Sequence, residues 1–95
     1  MTLSPPGASV VRMTEHRIRV GMCFDRTFPP PFVVELARTL EAGGADQLWV
    51  IEDCFYTAGV SLAAAALSVT ERLTVGLGIL PARARTAAVT AMELA

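Results

Sequence analysis

The chain has 95 residues, eight arginines, no lysine and a formal net charge of −1. With a pI of about 5.7, that balance removes the electrostatic case for a nucleic-acid or anionic-membrane partner. Hydrophobic residues make up 53% and mean hydropathy is +0.48, an excess for a small domain, which has much surface and little interior. The excess points to faces that pack against further sequence or a partner.

Met1–Glu15 has no periodicity and carries a Pro-Pro-Gly break, so it reads as a disordered N-terminal tail, with Met13 as an alternative start. Pro5, Pro6 and Gly7 stand where a secretory signal would place its apolar core. Residues 16–95 hold the patterned sequence. Arg17–Phe24 (RIRVGMCF) is the first expected strand, polar and apolar in alternation at its entrance and apolar beyond. Asp25–Pro31 is a loop whose last proline suits the first position of a helix. Phe32–Ala42 is that helix, with Phe32, Val33, Leu36, Ala37 and Leu40 on one face. Glu35 and Glu41 each lie three residues from Arg38, a spacing that permits pairing. Gly43-Gly44 supplies the stop, where a left-handed residue costs glycine least.

Gln47–Asp53 (QLWVIED) is the second expected strand, ending in two carboxylates. After a loop over Cys54–Gly59, the alanine-rich stretch Val60–Val69 reads as a buried helix, too short to cross a membrane. Leu73–Leu80 is the third strand, Pro81–Arg85 a loop, and Thr86 the cap of a third helix through Leu94. Strands apolar on both faces alternating with helices imply a parallel sheet covered by helices. A closed (βα)8 barrel needs about 250 residues. The expected architecture is therefore α/β: the first three βα units of a truncated (βα)8 TIM barrel. The expected setting is soluble and cytoplasmic.

In such folds the chemistry sits at the C-terminal strand ends. That rule selects Cys23, Phe24 and Asp25, then Glu52, Asp53 and Cys54, then Gly78 to Pro81. The carboxylates of Asp25, Glu52 and Asp53 are suited to orienting a polar substrate or moving protons. The plainer alternative is that they are solvated loop residues or arginine partners. Successive strand residues face opposite ways, so at most one of Glu52 and Asp53 points inward if the strand runs that far. Cys23 and Cys54 make neither a disulfide framework nor a metal signature, and small buried thiols are the expectation. Trp49, mid-strand, reads as core, and Tyr56 is the better ring platform. Gly76-Leu77-Gly78 is not a phosphate loop, because Pro81 stands where G-x-G-x-x-G needs its last glycine. These glycines either relieve crowding or let backbone approach a bound ring.

The run LWVIEDCFYTAGVSLAAAALSVTERLTVGLGILPARARTAAVTAMELA resembles the bacterial luciferase-like superfamily, in its methylenetetrahydromethanopterin reductase-like branch. The resemblance covers about Ile18–Ala95. It implies a (βα)8 barrel that uses FMN or a deazaflavin of the coenzyme F-420 type, acting on a small-molecule substrate, and a homo-oligomer for the full-length protein. It implies a bulge after the third strand with a cis peptide at Gly78–Ile79. Gly78, Ile79 and Cys23 would then meet the cofactor, and Asp25, Glu52 and Asp53 would line the substrate side. Several relatives carry histidine where this chain has Asp53, and the one histidine here, His16, is far from that position. Ala87 replaces a helix-opening proline. Little activity is expected of the 95 residues alone. The alternative is a non-enzymatic α/β fragment that self-associates or docks on a partner.

Overall fold

The computed structural model describes residues 17–95. The expected tail, Met1–Glu15, and His16 lie outside the described residues. The order is β1 (Gly21–Cys23), α1 (Phe32–Ala42), β2 (Gln47–Val50), α2 (Gly59–Leu67), β3 (Thr74–Leu77) and α3 (Ala87–Leu94). The strands form one parallel sheet in the order β1-β2-β3. These are three successive βα units of the TIM-barrel type, the architecture expected from the alternation of apolar strands and helices.

The helices begin and end for local reasons. The carbonyls of Pro29, Pro30 and Pro31 accept from the amides of Phe32, Val33 and Val34 at 2.9, 3.1 and 3.3 Å. Those amides open α1 and have no partner within the helix. Pro31 thus occupies the cap position, one residue before the first helical position expected for it. At the other end Ala45 N donates to Leu40 O at 2.9 Å and Gly44 N to Glu41 O at 3.2 Å. This is a Schellman stop, and the left-handed residue is Gly44, at φ +81°. Thr86 caps α3 as its position predicts, its hydroxyl accepting from Val89 N.

The strands are shorter than their apolar runs. β2 stops at Val50 and not at Asp53, because the chain curls into a loop. Within it Tyr56 N donates to Asp53 O at 3.0 Å and Asp53 N to Thr57 O at 3.4 Å. Beyond the paired residues, Phe24 N still reaches Trp49 O and Gly78 N reaches Val50 O, at 2.8 and 2.7 Å.

One sheet face carries the core. Leu48 and Val50 are fully buried against α1 and α2, with Phe24, Val33, Leu36, Ala37, Leu62, Ala63, Ala66 and Leu73. Phe24, Phe28 and Phe32 close one end, the rings of Phe28 meeting both neighbours edge-on with centroids 5.4 Å apart. The opposite face carries the register row Cys23–Trp49–Gly76. There Trp49 is 41% exposed, where a core position was expected. The difference is geometric: in a closed barrel this face turns inward, and three strands do not close one.

At the N-terminal strand ends, carboxylates bind backbone. Glu41 accepts from the amides of Glu71, Arg72 and Leu73 at 2.8 to 3.0 Å. These contacts, led by the amide of Arg72, hold its carboxyl below the usual range. Glu41 is thereby occupied away from Arg38, the partner its spacing allowed. Asp46 accepts from Val20 N at 2.9 Å and pairs with Arg17.

Candidate functional site

The opposite, C-terminal strand ends carry side-chain ion pairs. Glu52, just past β2, has a side chain only 9% exposed. Arg85, in the loop before α3, meets it with two parallel hydrogen bonds, Nη2 to Oε1 at 2.7 Å and Nη1 to Oε2 at 2.9 Å. Glu52 Oε1 also accepts from Gly59 N, at the start of α2, at 3.2 Å. Arg85 Nε reaches Glu93 of α3 at 3.4 Å. The Arg85 guanidinium, more than its charge at a distance, holds the Glu52 carboxyl below its ordinary range, against the opposing effect of burial. Glu52 is thus an ionised clamp joining the ends of β2, α2 and the loop before α3.

Asp53 takes the other direction, as successive residues do at a strand end. Its Oδ2 accepts from Arg26 Nη1 at 2.9 Å, which ties the loop after β1 to the loop after β2. The Arg26 guanidinium carbon also lies 5.0 Å from the centre of the Tyr56 ring, within cation–π range. Asp25 turns back on its own loop, accepting from Thr27 N at 2.8 Å and from the Thr27 hydroxyl. The hydroxyl contact is the main reason its carboxyl lies below the usual range.

Two concavities adjoin. A cleft of about 270 Å³ between the loops after β2 and β3 is lined by Glu52, Asp53, Phe55, Tyr56, Pro81 and Arg85, among others. A depression of about 400 Å³ on the open sheet face is lined by Cys23, Trp49, Ile51 and Gly78, among others. The structure thus brings Glu52 and Asp53 together in one and Cys23 and Gly78 in the other. Asp25 and Ile79 line neither, and Ile79 is 70% exposed at the end of β3.

Several expectations change here. No cis peptide occurs among the described residues, so the Gly78–Ile79 bond is trans. Cys23 and Cys54 are exposed free thiols, not buried ones. Gly76 within β3 and Gly78 just after it separate in role. A Cβ at Gly76 would stand 2.5 Å from the Trp49 ring, so this glycine makes room for the indole. A Cβ at Gly78 would make only ordinary contacts, none closer than 3.4 Å, so space does not demand glycine there. Arg85 and Phe55 were not legible as site residues. Arg85 lies 33 positions from its partner, and nothing local marks it. Phe55 stands in a loop that the sequence left featureless, yet it has φ +71° and a fully exposed ring.

A family model of luciferase-like monooxygenases matches residues 6–95. The chain belongs to that family. Comparisons with curated proteins and with solved structures find no match. In a luciferase-like monooxygenase built from βα units, the C-terminal strand ends form the catalytic face, and here the two concavities lie there or on the adjoining sheet face.

The family is an oxidoreductase family whose members generally use flavin-type cofactors. The residues present fit the ring of such a group: the backbone at Gly78, the side chain of Ile51 and the half-exposed indole of Trp49 line one depression on the open sheet face. Arg85 is engaged by Glu52 and Glu93, and Arg26 by Asp53. No group of metal-ligating side chains occurs among the described residues. No described helix is long and apolar enough to cross a membrane.

Proposed function

We propose that this chain supplies one wall of a flavin- or deazaflavin-dependent oxidoreductase site acting on a small molecule. The observation that carries the reading is the family match over residues 6–95. The depression lined by Trp49, Ile51 and Gly78, beside the acidic rim, supports it. When bound, the ring supplies hydride transfer or the chemistry of monooxygenation. Gly78, Ile79 and Cys23 meet its face. Asp25, Glu52 and Asp53 line the substrate side with different tasks. Glu52, its carboxylate held by Arg85, fixes the rim and keeps its charge. Asp53, more open to solvent, exchanges protons with a substrate. The proposal includes a cytoplasmic setting, where exposed thiols such as Cys23 and Cys54 stay reduced. It also includes a homo-oligomer for the whole protein.

The chain has a single tryptophan, and it lies on the platform face, so its emission reports the arrival of a ring. FMN and the deazaflavin are titrated separately. Quenching by one of them, weakened by Ile79→Asp, is the expected result. Absence of quenching and of any shift in ring absorbance with both would overturn the proposal. Turnover by the 95 residues alone is expected to be slight, because one open sheet face leaves a bound ring in contact with water.

A second reading is favoured by one observation: Ile18, Val20, Trp49, Met92 and Leu94 are exposed. On that reading the chain is a non-enzymatic fragment that self-associates or docks on a partner. Gel filtration with an absorbance scan separates the two, a coloured compact species supporting the enzyme and a colourless oligomer supporting the fragment.

A further inference from the structure

The cleft between the loops after β2 and β3 has a lining that specifies its ligand. Its guanidinium is already occupied: Arg85 Nη1 and Nη2 go to Glu52, and Nε goes to Glu93. At the mouth Arg26 is paired with Asp53 and lies over Tyr56. Three carboxylates thus face two guanidiniums across these pairs. Arg26 keeps further N–H donors, but the excess of carboxylate over guanidinium charge opposes an anionic ligand.

What is left open is mainly apolar, with the Thr57 hydroxyl, the Cys54 thiol, the Tyr56 hydroxyl and one carboxylate oxygen as its polar groups. Phe55 lines the cleft with its ring wholly in water, on a left-handed backbone that a bulky residue seldom adopts. Its conformation turns a large aromatic surface outward beside Tyr56, which is itself half exposed. Pro81 and Ala84 form the facing wall. Among the described residues, Asp53 Oδ1 takes no hydrogen bond, while Oδ2 takes one from Arg26. A carboxylate oxygen with spare lone pairs seeks a donor, not another acceptor.

We infer that this cleft binds an uncharged aromatic ring bearing a hydroxyl or amine donor, with Phe55 stacking on the ring and Asp53 accepting from the donor. The inference rests on the oxidoreductase reading only in treating the cleft as the substrate side of that site, and it names the substrate class.

Naphthol, naphthoate and methoxynaphthalene are the probes: one ring system with a donor, an anion or neither. Each is titrated by calorimetry into the 95-residue chain at pH 7 without flavin. Naphthol is expected to bind about tenfold more tightly than naphthoate, the size of a near-surface charge effect. Methoxynaphthalene is expected to bind more weakly than naphthol by several-fold, the worth of one hydrogen bond. Phe55→Ala, at a fully exposed position, should weaken naphthol about fivefold, with circular dichroism unchanged. Asp53→Asn, which keeps the shape of the side chain, should bring naphthol and naphthoate closer together. Equal or tighter binding of naphthoate, indifference to Phe55→Ala, or no naphthol binding would each overturn the inference. The flavin titration is independent. Naphthol binding without flavin binding would overturn the cofactor proposal and leave the cleft; flavin binding without naphthol binding would do the reverse.

Discussion

The two faces of the sheet are made by the same three strands and end in opposite states. On one, Leu48 and Val50 meet α1 and α2 and lose all contact with water. On the other, Trp49 stands between them in sequence and keeps 41% of its surface exposed. The strand alternation is common to both faces; the cover is not. The helices that follow each strand supply the first face from local sequence. The second face is satisfied only by what a closed barrel or a bound group brings to it. The apolar excess of this chain thus serves two purposes, a core that is complete and a face that is open.

The sharpest break in that comparison is Leu48→Ala against Trp49→Ala. Removing Leu48 leaves a cavity in the packed face and is expected to cost about 2–5 kcal/mol, enough to unfold a small domain. Trp49→Ala should cost clearly less in urea denaturation, because that side chain is half solvated. Equal losses would mean that the open face is packed in solution. Gly76→Ala tests whether the open face has order of its own. Its new Cβ collides with the Trp49 ring, so a loss of about 1–3 kcal/mol and a shifted tryptophan emission are expected. The double variant with Trp49→Ala should recover most of that loss, which a double-mutant cycle reads directly.

The rim gives the next smaller effects. Glu52→Gln removes the charge from a nearly enclosed pair and should cost about 1–2 kcal/mol at pH 7. The wild-type contribution has a defined pH sign. The folded-state carboxyl lies below its unfolded value of 4.5, so the stabilisation is present above that pH. It is lost as pH falls through the lower folded value. Glu52→Gln should flatten this part of the acid unfolding curve, and a curve that keeps its wild-type slope would remove Glu52 as the source. Arg26→Ala is the smallest change. Its pair with Asp53 is exposed, and such pairs contribute little and fade with salt. A larger, salt-insensitive loss would give the first loop a bigger part in the fold than its contacts indicate.

The same division runs through what was legible in advance. α1 was readable to the residue, because its apolar spacing, the prolines before it and Gly43-Gly44 after it are all local. The strand ends were not. The apolar run of β2 continues to Ile51, but a strand stops where its ladder stops, and that depends on the loop from Asp53 to Thr57. The carboxylates of the rim were picked out by position, and their roles were not. Glu52 and Asp53 are adjacent in sequence, yet one is clamped by Arg85 and the other pairs at the surface with Arg26.

The order of elements, the boundaries of α1 and the start and end of α3, and the parallel sheet were legible in the sequence, whereas α2 runs over Gly59–Leu67 and not the expected Val60–Val69. Each of the legible features follows from periodicity and from turn residues acting within a few positions. Only the tertiary structure decided that Glu52 meets Arg85, that Glu41 binds the entrance of β3, that Trp49 lies over Gly76 and that Phe55 faces water. Those contacts join residues far apart in the chain, or depend on which face the neighbouring strands leave uncovered. No local pattern records such a choice.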